Sequence, residues 1–415
     1  MTQRTRGIVT VSFFLLASPW LRPDAQAASP AGPAAGAPAS AIAPAARERE
    51  VRFVAHRVGG FRGEACAVAD FDRDGKLDIA AGPFLYLAPD WRAVMIRVID
   101  GSVNVKGDGY YHDFMNAPLD ADGDELPDIV TCDWFGMCLE WYRNPGPSGG
   151  TWERHLVERS GNHECGELAD IDGDGKALEI LPHVQPTVWW EVAPGPDGRR
   201  AFRKHVVSER PLDFGAGAGD LNGDGRPDLI RPGAWYEAPP DPRAGAWKEH
   251  PLAVGHIEEG KSAHTPQILV YDVNADGKND IVTSSAHEYG IFWYEQLPGD
   301  KSPRWKQHLI DRSWSQAHSL ALADLDGDGD LDLVTGKRFR AHNGGDPGED
   351  DPLVVSWYEL ERGPEPRWRR HDISSGEGIG SGLTIPVADL DGDGDLDIVV
   401  TGKWGGPVWF ENKLR

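Results

Sequence analysis

Carboxylates recur along this chain at a spacing that suits a hard divalent cation. Seven loops follow, closely or fully, the pattern Asp-x-Asp/Asn-x-Asp-Gly-x-x-Asp. Their ligand candidates are Asp70, Asp72, Asp74 and Asp78; Asp120, Asp122, Asp124 and Asp128; Asp170, Asp172 and Asp174; Asp220, Asn222, Asp224 and Asp228; Asp272, Asn274, Asp276 and Asp280; Asp324, Asp326, Asp328 and Asp332; and Asp389, Asp391, Asp393 and Asp397. Alternate side chains on a tight loop converge, and Ca²⁺ accepts about six to eight oxygens in a flexible geometry. Clustered carboxylates repel one another unless a cation or protons compensate. Calcium is therefore the expected occupant, and a metal-free acidic turn is the plain alternative. The second copy carries Glu125 in place of glycine, and in the third Glu179 comes one residue late. An EF-hand needs a glutamate at the twelfth position and helical flanks. That position holds Ala81, Thr131, Leu181, Arg231, Thr283, Thr335 and Val400, and the flanks are β-type, as in Ile129-Val130-Thr131. EF-hands are excluded.

A second set of residues offers different chemistry. Glu64, His112 with Asp113, His163 with Glu164, Asp213, His264 and His318 stand six to eight residues before the first aspartate of a loop. Downstream of the loops come Asp133 and Trp134, His183 and Gln185, Arg231, then His287, Glu288 and Tyr289. Lys337, Arg338 and His342 follow, and finally Lys403 and Trp404. Imidazole with carboxylate suits Zn²⁺, Mn²⁺ or Fe²⁺ better than Ca²⁺. Imidazole is also the usual proton-transfer group near neutral pH.

Both sets must be positioned by repeated elements. The first aspartates of successive loops are 50, 50, 50, 52, 52 and 65 residues apart, a repeat of propeller-blade size. Each loop is followed by a β run, an aromatic strand such as Trp235-Tyr236-Glu237, and a strand of the form aromatic-x-x-His. The expected fold is all-β: a seven-bladed propeller of four-stranded antiparallel blades. The last unit lacks its fourth strand, and Phe53-Val54-Ala55-His56 has the missing pattern, so the N-terminal strand is expected to close the ring and remove an edge. The repeated histidines of the fourth strands are read as structural. Because the loops join first and second strands, the histidine-bearing segments must share the opposite face, at one mouth of the channel. An insertion from Gly336 to Gly348 is expected there as a lid or an ordinary surface excursion.

The loops and their trailing aromatic strands resemble FG-GAP/VCBS repeats, the calcium-loop propellers of integrin α chains and of many secreted bacterial proteins. The resemblance covers 51–415. The histidine-rich mouth and Lys337-Arg338-Phe339-Arg340-Ala341-His342 also look like the propeller domain of aldos-2-ulose dehydratase and its bacterial relatives. That resemblance implies a metal-dependent lyase that eliminates across a C–O bond beside the carbonyl of a keto-sugar or keto-glycoside. On it, His163, His264 and His318 are candidate metal ligands, with Glu164 or Asp113 as an oxygen donor. His112, His183 and His287 are acid–base candidates. Trp134, Arg231, Tyr289, Lys337, Arg338, His342 and Lys403 are candidates for holding the sugar. These roles are interchangeable within the cluster, and the mouth metal is Zn²⁺, Mn²⁺, Fe²⁺ or Mg²⁺. A non-catalytic calcium-stabilised propeller that binds carbohydrate or protein is the alternative.

Bulk properties narrow the setting. Arg4 and Arg6, the apolar run Ile8–Leu16 and Ala25-Gln26-Ala27 read as a signal peptide over 1–27, with an Ala/Pro-rich linker over 28–50. The expected location is secreted or periplasmic. No segment is long enough for a membrane span. A formal charge of −24 argues against nucleic acid as a partner. Cys132 and Cys138 stand where neighbouring strands of one blade would bring them near enough for a disulfide. Nucleophile-elbow, phosphate-loop and dinucleotide signatures are missing, and the oligomeric state is not encoded in any pattern.

Overall fold

A computed structural model describes residues 51–414 except 196–198, 255, 259–260, 263, 300–302 and 364. The signal peptide and linker expected over 1–50 lie outside the described residues. Seven four-stranded antiparallel sheets follow one another. In blade 1 the strands are Cys66–Ala69, Asp78–Ala81, Phe84–Leu87 and Arg92–Met95. Blade 2 uses Ala117–Leu119, Asp128–Asp133, Cys138–Arg143 and Glu153–Arg159; blade 3 uses Gly166–Ala169, Glu179–Pro182, Thr187–Pro194 and Arg200–Ser208. Blade 4 uses Gly217–Gly219, Asp228–Arg231, Gly233–Glu237 and Lys248–Leu252; blade 5 uses Leu269–Tyr271, Asp280–Ser284, Tyr289–Leu297 and Arg304–Ser315. Blade 6 uses Ala317–Ala323, Asp332–Lys337, Val354–Glu361 and Arg367–Ser375. Blade 7 takes Val387–Ala388, Asp397–Val400 and Gly406–Asn412, and its fourth strand is Phe53–Phe61 from the other end of the chain. Phe53 pairs with Asn412 and His56 with Trp409. The expected closure is therefore present.

Second strands such as Asp78–Ala81 and Asp128–Asp133 are buried throughout, whereas fourth strands such as Glu153–Arg159 alternate with solvent. That is the pattern of strands covered on both faces against strands on a rim. Seven apolar clusters fill the seven blade-to-blade interfaces. One packs Val68, Ile79 and Tyr86 of blade 1 on Val399 and Trp409 of blade 7, so the ring has no apolar gap. Trp189, Trp190 and Trp235 lie in these layers at 2% exposure or less. On the fourth strands, His155, His205, His250, His308 and His371 stack on a third-strand tryptophan, with centroids 4.1–4.4 Å apart. His205, His250, His308 and His371 also meet the glutamate two residues after that tryptophan. These histidines tie outer strands to the blade.

In six of the seven aspartate loops the ninth residue ties its hairpin together; in the third, Glu179, one residue later, accepts from the Ile171 N–H. Asp78 accepts from the backbone N–H groups of Phe71 and Ala88, and Asp228 from those of Leu221 and Ala238. The same double acceptance recurs at Asp128, Asp280, Asp332 and Asp397. Burial pushes the Asp78, Asp128, Asp228 and Asp397 carboxyls up to about 7. The sixth loop position adopts the left-handed conformation, with Gly75 at φ 89°; Glu125 is driven there too, at φ 68°. That is costly for a residue with a side chain.

The four cysteines are free and buried. Cys132 stands opposite Leu139 and Cys138 opposite Asp133. Adjacent strand residues face opposite sides of a sheet. Cys138 therefore points away from Cys132, and the two, which the sequence left open to pairing, are not joined.

Candidate metal centre at the propeller mouth

The lead-in segments lace together over the channel. Leu383, before blade 7, donates its N–H to the Glu64 carbonyl at 2.6 Å, and Gln267 donates to the Leu383 carbonyl at 3.1 Å. Leu383 is fully buried among Phe114, Met115 and Cys165 of blades 2 and 3. This crossing gives the mouth a floor.

On that floor Arg338, 2% exposed, lies between two carboxylates. Its Nε donates to Glu64 Oε1 at 2.8 Å and its Nη2 to Glu64 Oε2 at 3.3 Å, while Nη1 reaches Glu164 Oε1 at 3.3 Å. His318 Nε2 lies 3.0 Å from the same Glu164 oxygen. Burial raises the Glu164 carboxyl, but His318 and Arg338 more than offset it and hold it well below the usual range. Glu64 ends below its ordinary value for the same reasons. Burial and Arg338 hold His318 down, against Glu164.

His287 completes the centre. Glu164, His287 and His318 each offer a ligand atom, and these lie within 4.8 Å of one another. The His287 ring stands edge-on to His318 at 5.4 Å and to His264 at 5.6 Å. Burial lowers His287 to about 4, so at neutral pH it is an imidazole with a lone pair to give. Its Nδ1 donates to Asp346 Oδ2 at 2.9 Å, which leaves Nε2 as the free donor atom. Two neutral imidazoles and a carboxylate form a donor set of the kind that holds catalytic zinc. The donor set fits a first-row divalent ion.

The remaining candidates sort by what they touch. His264, more than half exposed, pairs through Nδ1 with Asp213 Oδ2 at 3.4 Å, and that carboxylate raises its pKa. His342 stacks on His287 at 4.2 Å and donates to Asp346 Oδ1 at 2.7 Å. His163 is not brought to the centre: its Nε2 meets Ser160 Oγ at 2.8 Å in the buried interior. His183 is buried too, its Nδ1 at 3.0 Å from Cys165 Sγ. Both are fully buried; burial lowers His163 to about 4 and His183 to about 3. His112 stacks on Phe135 and meets Asp133 at 3.2 Å. Asp113 is committed to Arg97 at 3.0 Å and to Asn116 and Thr131.

Several sugar-holding candidates are internal ties. Arg231 is 1% exposed and donates to the carbonyls of Val184 and Asp213. Lys337 and Lys403 are fully buried and donate to the Gly348 and Arg340 carbonyls at 2.7 and 2.9 Å. Arg338 is enclosed by its two glutamates. Tyr289 donates to Asp351 at 3.0 Å, and Trp134 lies tilted against Phe214 at 4.9 Å. Two residues of the centre, Glu64 and Asp346, have no role in the sequence reading. Glu64 was signalled: it shares with Glu164 and His318 a position six residues before the loop aspartate. Asp346 sits in the non-repeating insertion, where periodicity gives no signal.

On the opposite face, three carboxylates of the loops in blades 1, 2 and 3 also bring an oxygen each within 4.8 Å: Asp70, Asp72 and Asp78; Asp120, Asp122 and Asp128; and Asp170, Asp172 and Asp174.

The model of the FG-GAP-like repeat family matches residues 272–335, which hold the loops of blades 5 and 6. The same loop stands at the same place in every blade. Residues 272–335 thus match an FG-GAP-like repeat within a seven-bladed propeller. Solved structures similar to it include the V. cholerae biofilm matrix protein Bap1, at 12% identity over 85% of this chain and 88% of that one, TM-score 0.40. A luciferin-regenerating enzyme matches at 10% identity over 69% and 88%, TM-score 0.38. AofleA from Arthrobotrys oligospora matches at 12% over 79% and 91%, TM-score 0.38. No curated protein matches the chain. Among the described residues no helix is long and apolar enough to cross a membrane.

Proposed function

We propose that this FG-GAP propeller is an exported protein stiffened by Ca²⁺ in its aspartate loops. At its mouth it holds a divalent metal, Zn²⁺, Mn²⁺, Fe²⁺ or Mg²⁺, and acts as a carbon–oxygen lyase on a keto-sugar or keto-glycoside. The metal rests on one observation: Glu164, His287 and His318, from three blades, bring ligand atoms within 4.8 Å of one another. The imidazoles favour a first-row transition ion over Mg²⁺. The substrate class rests on the resemblance to aldos-2-ulose dehydratase.

A cation held there supplies electrophilic polarisation of the substrate carbonyl, which acidifies the neighbouring C–H. The chain supplies the proton transfers. His264, oriented by Asp213 and open to solvent, takes the proton. The C–H electron pair becomes the new C=C bond while the β C–O bond breaks. His342, more than half exposed on the insertion, gives the departing oxygen its proton. Trp134 offers an aromatic face to the sugar ring. His264 thus passes from the ligand set to proton transfer, and His287 from proton transfer to the ligand set.

A second reading has support of its own. Arg338 already satisfies Glu64 and Glu164 without a metal ion, as a non-catalytic carbohydrate- or protein-binding propeller would need. Elemental analysis of the mature chain beside a Glu164→Gln/His318→Ala variant separates the two. One transition metal per parent chain and none in the variant, with calcium equal in both, supports the lyase and directs a screen of keto-sugars for elimination. Calcium alone in both sinks the transition-metal centre and favours the binding propeller.

A further inference from the structure

Resting on the metal reading of the mouth, we propose that Asp346 is the positioning residue of the centre: a carboxylate on a fixed strap that sets the ring orientation and tautomer of the ligand His287.

The insertion expected as a lid or an ordinary surface excursion is fastened along its length. Lys337 donates to the Gly348 carbonyl at 2.7 Å and to Ser315 Oγ at 2.9 Å, while Lys403 donates to the Arg340 carbonyl at 2.9 Å. Two buried ammonium groups thus hold the two ends. Between them Arg340 Nε donates to Asp108 at 2.8 Å, and Asn343 Oδ1 accepts from the Gly109 N–H at 2.8 Å. Asp108 and Gly109 belong to the two-stranded hairpin of Gly101–Val103 and Gly109–Tyr111, between blades 1 and 2, so the strap spans from blade 6 to that hairpin. Glu349 closes a tight turn under Asp346, accepting its N–H at 3.1 Å.

Asp346 is placed by this frame rather than by its own blade's sheet. Its side chain is 9% exposed, and each oxygen is committed to one imidazole: Oδ2 to His287 Nδ1 and Oδ1 to His342 Nδ1. With Nδ1 held as a donor, His287 must present Nε2 toward Glu164 and His318. A carboxylate on the far nitrogen fixes a ligand imidazole and raises its basicity, and removing such a partner costs about 10–100-fold in metal affinity. The stacked His342 ring, at 4.2 Å and 21°, blocks rotation of His287 from one side. The competing possibility is that Asp346 and His342 are themselves ligands of a second ion beside His287.

Chelator-treated mature chain, kept in calcium, is titrated with Co²⁺ and Zn²⁺ while the visible Co²⁺ spectrum is recorded. Asp346→Asn keeps one acceptor oxygen, and Asp346→Leu keeps none. The expected result is about 10-fold weaker binding for the first and about 100-fold for the second, with a shifted Co²⁺ spectrum. The metal-free unfolding temperature and calcium content stay at parent values, which a merely structural role would not give. His342→Gln should change affinity by less than about 3-fold, well short of the loss of an oriented ligand. Parent-like affinity and spectrum in Asp346→Asn overturn the inference, and this variant decides alone if the leucine variant does not fold. A loss in His342→Gln equal to that in Asp346→Leu also overturns it, in favour of a second ion. A parent that takes up no Co²⁺ or Zn²⁺ instead overturns the mouth-metal reading itself.

Discussion

The fourth-strand histidines and the mouth histidines are both held by carboxylates, yet their surroundings differ in every other respect. His205 stacks on Trp189 at 4.1 Å and meets Glu191 at 3.2 Å on the outer rim. His318 meets Glu164 at 3.0 Å, but its neighbours are another imidazole and a buried guanidinium. The rim pair recurs in blades 3 to 7, where it ties the outer strand to the sheet. The mouth set occurs once, assembled from blades 3, 5 and 6 and a strap. Repetition marks what a blade needs, and departure from repetition marks what the whole molecule does with it.

Arg338 gives the sharpest test of that contrast. Replacing it by Met leaves Glu64 and Glu164 without their buried cation. Removing one partner of a buried network costs about 3–5 kcal/mol. The rim comparison is Arg243, which bridges Asp172 and Glu191 but is 41% exposed on its side chain. Arg243→Met should cost no more than about 1 kcal/mol, as exposed pairs do. Urea denaturation of metal-free protein reads both; equal losses would mean that the mouth network is no more buried in effect than the rim.

The same division separates what was legible in the sequence from what was not. Loop spacing gave the blade count, and Phe53–His56 gave the closing strand, because both follow from a period that every blade must obey. The mouth was legible as a region: Glu64, Glu164 and His318 share one offset. Roles within it were not. His163 and Glu164 are adjacent in sequence, but neighbouring side chains diverge, and only Glu164 reaches the centre. Lys337, Lys403 and Arg231 looked like ligand-holding cations because a sequence does not show which carbonyls a fold leaves to be satisfied.

His183 tests the interior side of the mouth through pH. Burial holds it down to about 3, against 6.5 for an exposed imidazole. Between those values the unfolded chain binds a proton that the native state does not, so stability rises with pH there. The contribution is full above pH 6.5 and is lost as pH falls toward 3. Between pH 7.5 and 4.5 the parent should lose roughly 2–3 kcal/mol more than His183→Leu, at about 1.36 kcal/mol per pH unit below the unfolded pKa. Denaturant titrations of both chains at the two pH values give this double difference. No difference would mean that His183 gains a proton in the native state without cost.

The smallest expected effect lies on the rim. His205→Ala removes a stacked ring and one contact of Glu191, which keeps Arg243 at 2.7 Å. Aromatic stacking is worth about 0.5–1.5 kcal/mol beyond burial, so the loss should be about 1 kcal/mol. The variant should retain the full transition-metal content of the parent, because His205 binds its own blade and nothing else. His318→Ala should do the reverse in kind and lose the mouth metal. If His205→Ala also lowered transition-metal content while calcium stayed constant, the rim and the mouth would be coupled through the third-blade sheet. The separation drawn between repeating and non-repeating histidines would then fail.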